Sequence, residues 1–167
     1  MALQTARTQR PPGSGMAETE TSPLYTSLLL PLDGSSVSAQ VLPYAVELAR
    51  RLAVPVVLLR VLQAEPNEIA IDSRRREHDA RQSQAEGYLE ALRRVLQSSG
   101  VAIQTRIVEG PAVDSILGLQ RQMPGSLLLI TALGRSGLGP MGSIAEELSR
   151  KALGPVMLIK PARSAEA

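Results

Sequence analysis

Four short runs of almost unbroken aliphatic side chains, each separated from the next by helix-patterned sequence, constrain this chain more than any other feature. They are Leu24 to Pro31 (LYTSLLLP), Val54 to Leu62 (VPVVLLRVL), Ser126 to Ala132 (SLLLITA) and Val156 to Lys160 (VMLIK). A strand with one wet face alternates apolar and polar residues, whereas a strand buried on both faces does not. Strands of the second kind belong in a parallel sheet covered by helices on both sides. A fifth run, Val101 to Val108 (VAIQTRIV), does alternate, which predicts a less buried strand.

The intervening segments complete the pattern. After the turn and cap cluster Asp33-Gly34-Ser35-Ser36, Val37, Val41, Ala45, Leu48, Ala49 and Leu52 recur at helical spacing and predict one helix. Gln63 to Ser73 has no periodicity and reads as a loop. From Arg74 to Ser98 the spacing is helical again, with Ala85, Tyr88, Leu89, Leu92, Val95 and Leu96 on one face and Gly100 as the stop. Gly110-Pro111 opens a helix carrying Val113, Ile116, Leu117 and Gln120, which closes near Pro124-Gly125. A last helix is expected from Ile144 to about Leu153, ended by Gly154-Pro155. The order is βαβαβαβαβ without an internal repeat. Right-handed crossovers then make a doubly wound parallel five-stranded sheet, order 3-2-1-4-5, the economical α/β solution.

The 167 residues fit one domain. Residues 1–23, with Arg7, Arg10 and Pro11-Pro12-Gly13-Ser14-Gly15, read as a disordered tail in which Met16 is an alternative start. The folded domain is expected over residues 24–161, with residues 162–167 as a short C-terminal tail.

Composition narrows the chemistry. The chain has no cysteine, so thiol catalysis, disulfides and cysteine-ligated metals are excluded. Its single histidine, His78, sits in the charged run Arg74 to Asp79 and reads as part of a solvated helix face. No Ser-His-Asp arrangement is expected around it. With no Trp, no Phe and only Tyr25, Tyr44 and Tyr88, the chain is poorly equipped to stack nucleic acid bases, and a net charge of +2 gives no basic surface. No run approaches the ~20 apolar residues that span a bilayer. A cytoplasmic protein with neither nucleic acid nor membrane as partner is expected.

In the 3-2-1-4-5 order the first and fourth strands are neighbours where the winding reverses, and ligands bind outside their carboxyl ends. Asp33-Gly34-Ser35 follows the first strand. A glycine-rich loop follows the fourth: Thr131-Ala-Leu-Gly134-Arg-Ser-Gly137-Leu-Gly139-Pro-Met-Gly142-Ser143-Ile-Ala-Glu146. Glycines let the backbone approach a phosphate, and the N-terminus of the following helix offers free N–H groups and a partial positive charge. Ser143 and Glu146 have the spacing of a capping box. The alternative is a tight loop that needs glycines to turn and a serine to cap.

No Gly-Lys-Ser/Thr occurs, so this is not the P-loop of ATPases, and only Gly34 stands where a dinucleotide fingerprint would lie. Asp33 can accept hydrogen bonds from ribose or adenine, or help to hold a metal. Its alternative role is an N-cap or Asx-turn, which Ser35 and Ser36 can equally supply. Val61, at the end of the second strand, is an apolar wall beside it or plain core.

Taken in order, Pro31-Leu-Asp33-Gly-Ser35, the Val56 to Val61 strand, Val108-Glu-Gly110-Pro-Ala, Gly134-Arg-Ser-Gly-Leu-Gly and Gly142-Ser143-Ile-Ala-Glu resemble the universal stress protein family across residues 25 to 160. The resemblance implies a Rossmann-like, adenine nucleotide alpha-hydrolase-like fold, and a cytoplasmic homodimer that acts in the stress response. Nothing in the sequence positions a water or a nucleophile, so no enzyme is expected, at most slow ATP hydrolysis. One branch of the family binds ATP and another does not.

The ATP-binding branch resembles a pattern of glycine, two residues, glycine, nine residues, glycine, then Ser or Thr. Here Thr131 holds the first position, Gly134 the second glycine and Gly142-Ser143 the closing pair, with seven residues between Gly134 and Gly142. The implied site is therefore Asp33, Val61, Thr131, Gly134, Gly142 and Ser143. Its implied ligand is ATP or another adenine nucleotide, with Mg2+ as the companion of a triphosphate. The alternative is a nucleotide-free homodimeric stress adaptor whose shortened loop is purely structural. In either case the apolar strand Val156 to Lys160, expected at a sheet edge, is the surface through which two copies should pair.

Overall fold

The computed structural model of the chain describes residues 23–63, 71–133 and 141–160. Its strands are β1 (Ser27–Pro31), β2 (Val56–Leu62), β3 (Ile103–Glu109), β4 (Ser126–Thr131) and β5 (Val156–Ile159). Its helices are α1 (Ser36–Ala39), α2 (Leu42–Leu52), α3 (Ile71–Leu96), α4 (Ala112–Gln122) and α5 (Ser143–Lys151). The strands form one sheet in the order β3-β2-β1-β4-β5, with every pairing parallel. This is the expected doubly wound order.

The unbroken aliphatic runs exist because β1, β2 and β4 are covered twice. Leu28, Leu30, Val56 and Leu58 pack on one face of the sheet with Val41, Leu42, Ala45 and Ala49 around α2 and Leu89 of α3. Leu29, Val57, Leu59 and Leu128 pack on the other with Val113, Ile116 and Leu117 of α4 and Ala145 and Leu148 of α5. Burying a Leu side chain fully is worth ~1.5–3 kcal/mol, so these two layers supply most of the driving force. β3 is the alternating strand expected at one edge, with Gln104, Thr105 and Arg106 exposed. β5 is the other edge and is apolar, and Met157 is 38% exposed.

Several boundaries differ from the sequence reading, each for a local reason. β1 starts at Ser27, and Leu24 is exposed. β2 starts at Val56, after Pro55. The single helix expected between the first two strands is two, because Pro43 lacks an N–H and takes a first-turn position, where α2 restarts. Ala53 closes α2 in the left-handed conformation. α3 starts at Ile71, inside the segment read as a loop. It ends at Leu96 in a 3-10 turn, Gln97–Ser99, with Gly100 left-handed at φ +74°. The apolar stripe begins only where the helix meets the core, and the helix extends well beyond it.

The capping box at Ser143 does not form. Gly142 is the N-cap, in extended conformation at φ −64° and ψ 145°, and its carbonyl accepts the Glu146 N–H at 2.9 Å. Ser143 is therefore the first helical residue. The helix stops at Lys151, leaving Leu153 exposed outside it.

Leu29 is fully buried in the central strand. Leu29→Ala should lower the unfolding free energy by ~2–5 kcal/mol, the cost of lost burial plus a cavity. Urea unfolding should show a lower midpoint with an unchanged slope. A loss under 1 kcal/mol would mean that the two layers do not close on this strand.

Candidate functional site

The reversal of winding between β1 and β4 leaves a crevice at the carboxyl end of the sheet. It opens into a cavity of about 860 Å³ that reaches both faces of the sheet. On the α4 and α5 side it is apolar, with Val61, Ala112, Ile116, Ile130 and Ala145 in its wall. On the α3 side it is polar, with Ser38, Arg60, Arg81, Gln84 and Tyr88. Between the two sides stand the turn after β1 and the start of α5.

The turn after β1 is built by its own side chains. Leu32 extends the strand by one bond, its N–H reaching the Leu59 carbonyl at 2.8 Å. Gly34 then takes φ +83°, a conformation that glycine adopts without steric cost. Asp33 Oδ1 accepts from the Ser35 N–H at 2.9 Å and from the Ser35 hydroxyl at 2.6 Å, which is an Asx-turn. Ser35 is the N-cap of α1, and its Oγ accepts the Ser38 N–H at 3.1 Å. The Ser38 hydroxyl donates to the Ser35 carbonyl at 3.0 Å and accepts from the Asp33 N–H at 3.3 Å. The two alternatives for Asp33 are thus compatible: Ser35 caps the helix, and Asp33 orders the turn while lining the cavity.

Opposite this turn, α5 points its N-terminus at the cavity. In an α-helix the first N–H groups have no acceptor within the helix, and they carry the positive end of the dipole. Gly142, Ser143, Ile144 and Ala145 all line the cavity, and the Gly142 N–H is held by the Ala132 carbonyl at 2.8 Å. Gly142 has an ordinary φ, so its backbone angles do not demand a glycine. Thr131 ends β4, with its hydroxyl donating to the Leu133 carbonyl at 3.4 Å.

Of the six residues singled out from the sequence, Asp33, Val61, Thr131, Gly142 and Ser143 line this one cavity. Gly134 lies outside the described residues.

The polar wall was not foreseen. Arg60 is the one charge in β2, on the same face as Val56 and Leu58, and its Nη1 donates to the Leu32 carbonyl at 3.1 Å. A charge inside an otherwise aliphatic strand was the available signal. Arg81 donates to the Gln63 carbonyl at 3.2 Å. His78 stays half exposed on α3, its Nε2 3.4 Å from Glu109 Oε1, in keeping with a solvated face. Among the described residues no group of three or more His, Asp or Glu could hold a metal ion.

The Tyr88 hydroxyl is enclosed and makes no hydrogen bond of normal geometry. Burial raises its pKa above 10; the Arg60 charge opposes the rise, and Asp33 adds to it. Ser38 is near enough to pull slightly in the lowering sense, yet short of a proper hydrogen bond.

With this geometry in place, comparison with known proteins is decisive. The sequence pattern of the universal stress protein family matches residues 24–160. The chain belongs to the universal stress protein family. A universal stress protein of Methanocaldococcus jannaschii is 25% identical over 141 residues, covering 82% of this chain and 83% of that one. The structure of a family member from Burkholderia pseudomallei superposes with a TM-score of 0.67 at 26% identity, covering 83% of this chain and 98% of that one. The fold is shared with a universal stress protein from Archaeoglobus fulgidus in complex with dAMP (TM-score 0.61, 21% identity, 82% and 99% covered). It is shared equally with a universal stress protein in complex with cAMP (TM-score 0.66, 16% identity, 83% and 99% covered). Among the described residues, no helix of this family member is long and apolar enough to cross a membrane.

A raised tyrosine pKa has a consequence for stability. The folded state holds the Tyr88 proton more tightly than the unfolded chain, so this contribution is complete below pH 10 and is lost as pH rises through the higher folded value. Absorbance titration at 295 nm should therefore show a late tyrosinate step that Tyr88→Phe removes. If the step survives in Tyr88→Phe, Tyr88 is not the enclosed group.

Proposed function

We propose that this universal stress protein is an adenine-nucleotide-binding regulator of the stress response, acting in the cytoplasm by binding rather than by turnover. The observation that carries the reading is that Asp33, Val61 and the N-terminus of α5 converge on one cavity at the reversal point of the sheet. Each part suits one part of a nucleotide. The α5 N–H groups and the Ser143 hydroxyl suit phosphate. The Asp33 carboxylate suits ribose hydroxyls or the adenine amino group. The wall of Val61, Ile116 and Ile130 suits the faces of a base. The dAMP and cAMP complexes of proteins with this fold support the same chemistry. A triphosphate would bring Mg2+ as its own counter-ion.

The protein itself supplies a direct test. Denatured after purification, it should release an adenine nucleotide visible by mass spectrometry, and calorimetry should register ATP or AMP binding. Asp33→Ala should weaken that binding about tenfold, the value of a hydrogen bond to a charged group, while Ser35 keeps the α1 cap. Protein that carries no nucleotide and gives no heat with either would be the nucleotide-free adaptor instead. An Asp33→Ala variant with unchanged affinity and a large drop in melting temperature would confine Asp33 to its turn.

The second part of the proposal is assembly as a homodimer through β5. The two edges of the sheet differ: β3 presents Gln104, Thr105 and Arg106, whereas β5 presents Val156 to Ile159 with only Lys160 after it. Charged side chains discourage strand addition, and an apolar edge invites it. A two-fold axis beside β5 would pair it with its copy. Met157→Lys should convert a dimer to a monomer in light scattering without changing the circular dichroism. Wild-type protein with the mass of one chain would end this part of the proposal.

A further inference from the structure

Arg60 is an unexpected residue in β2. It stands on the covered face of a central strand, where a charge is costly unless its hydrogen bonds are made. Its position is explained by what it holds. Nη1 donates to the Leu32 carbonyl, 28 residues away in sequence, at 3.1 Å. The guanidinium also occupies the space that a side chain at position 34 would enter: a Cβ placed on Gly34 would stand 3.7 Å from both Nη1 and Nη2 and 3.8 Å from Cζ, ordinary van der Waals distances.

The peptide unit between Leu32 and Asp33 is therefore pinned at both ends. Its carbonyl is held by Arg60 at 3.1 Å, and its N–H by the Ser38 hydroxyl at 3.3 Å. That peptide sets the direction in which Asp33 leaves the sheet. One residue later the carboxylate is fixed in turn by Ser35. Tyr88 of α3 lines the same side of the cavity, with its hydroxyl enclosed. The order of dependence runs from β2 through the Leu32 carbonyl to Asp33.

We infer that Arg60 is a positioning residue for Asp33: by holding the Leu32 carbonyl and filling the space beside Gly34, it presents the Asp33 carboxylate to the cavity in its binding orientation. As far as a ligand is concerned, this rests on the nucleotide reading above. A preordered acceptor loses less freedom on binding than a mobile one, so the brace raises affinity without touching the ligand. An arginine suits the task better than a lysine, because its planar fork is pre-organised and loses less freedom per hydrogen bond formed.

The test uses the full chain and two variants. Arg60→Met keeps an unbranched apolar stem and loses the donors and the charge, while Arg60→Lys keeps a donor nitrogen and the charge. NMR-detected hydrogen exchange of the Ser35 amide reads the turn without any ligand, and calorimetry with ATP reads binding. In Arg60→Met, exchange should accelerate and ATP affinity fall, each about tenfold, the value of a charge-assisted hydrogen bond. Arg60→Lys should recover part of both, with a melting temperature close to wild type. That partial rescue is what a purely structural role would not give, and the lysine variant carries the test if the methionine variant does not fold.

Exchange at Ser35 that both variants leave unchanged overturns the inference. So does faster exchange with unaltered ATP affinity in a protein whose wild type binds ATP. Wild-type protein that binds no nucleotide would refute the nucleotide reading instead, and the exchange of Ser35 would still decide whether Arg60 holds the turn.

Discussion

The structure depends on burying β1 on both faces while pairing it on both edges. Leu28, Leu29 and Leu30 are each at 0% exposure, with β2 hydrogen-bonded on one side and β4 on the other. A strand in that position has no route to water for its backbone, so every N–H and C=O must be met by a neighbouring strand. Its side chains must be met by helices above and below. One constraint therefore requires parallel neighbours, crossover helices on both faces and a reversal of winding beside β1. The layers of α2 with α3 and of α4 with α5 are its consequence.

The cavity is the other side of that solution. Where the winding reverses, the helices that follow β1 and β4 pack on opposite faces of the sheet, and the described residues leave a cavity between them. The chain places there the two ends it cannot bury well: a tight turn rich in hydroxyls and a helix N-terminus with free N–H groups. The apolar wall from α4 and α5 and the polar wall from β2 and α3 make this space two-sided. The edges of the sheet follow a related logic. β3 is kept wet by its polar residues, while β5 keeps its apolar character, with Met157 half exposed.

Much of this was legible before any coordinates. Strand identity follows from aliphatic runs, helix identity from spacing, and the order 3-2-1-4-5 from alternation plus handedness. Topology alone brings the Asp33 turn and the glycine loop together at the carboxyl ends of adjacent strands, and the family resemblance singles out Thr131, Gly142 and Ser143, which line the same cavity. Local details were less legible. The split at Pro43 was hidden by a continuous apolar spacing on either side of it. The one-residue shift at the start of α5 was hidden because Ser143 and Glu146 have the spacing of a capping box while Gly142 has the cap conformation. The early start of α3 was hidden because solvated turns carry no apolar period.

By itself the sequence determined which segments must be buried, and that requirement allows few architectures. Hydrophobic pattern is a property of each segment, and it survives being read one segment at a time. Only the tertiary structure decided what stands behind the site. Arg60 meets Leu32 because β2 lies in register beside β1, and Tyr88 lines the same cavity because α3 packs on that face. The Arg60–Leu32 contact joins residues 28 positions apart, through side-chain directions that no local pattern carries. Burial is written along the chain, whereas the contacts of a polar side chain are decided by which strands become neighbours.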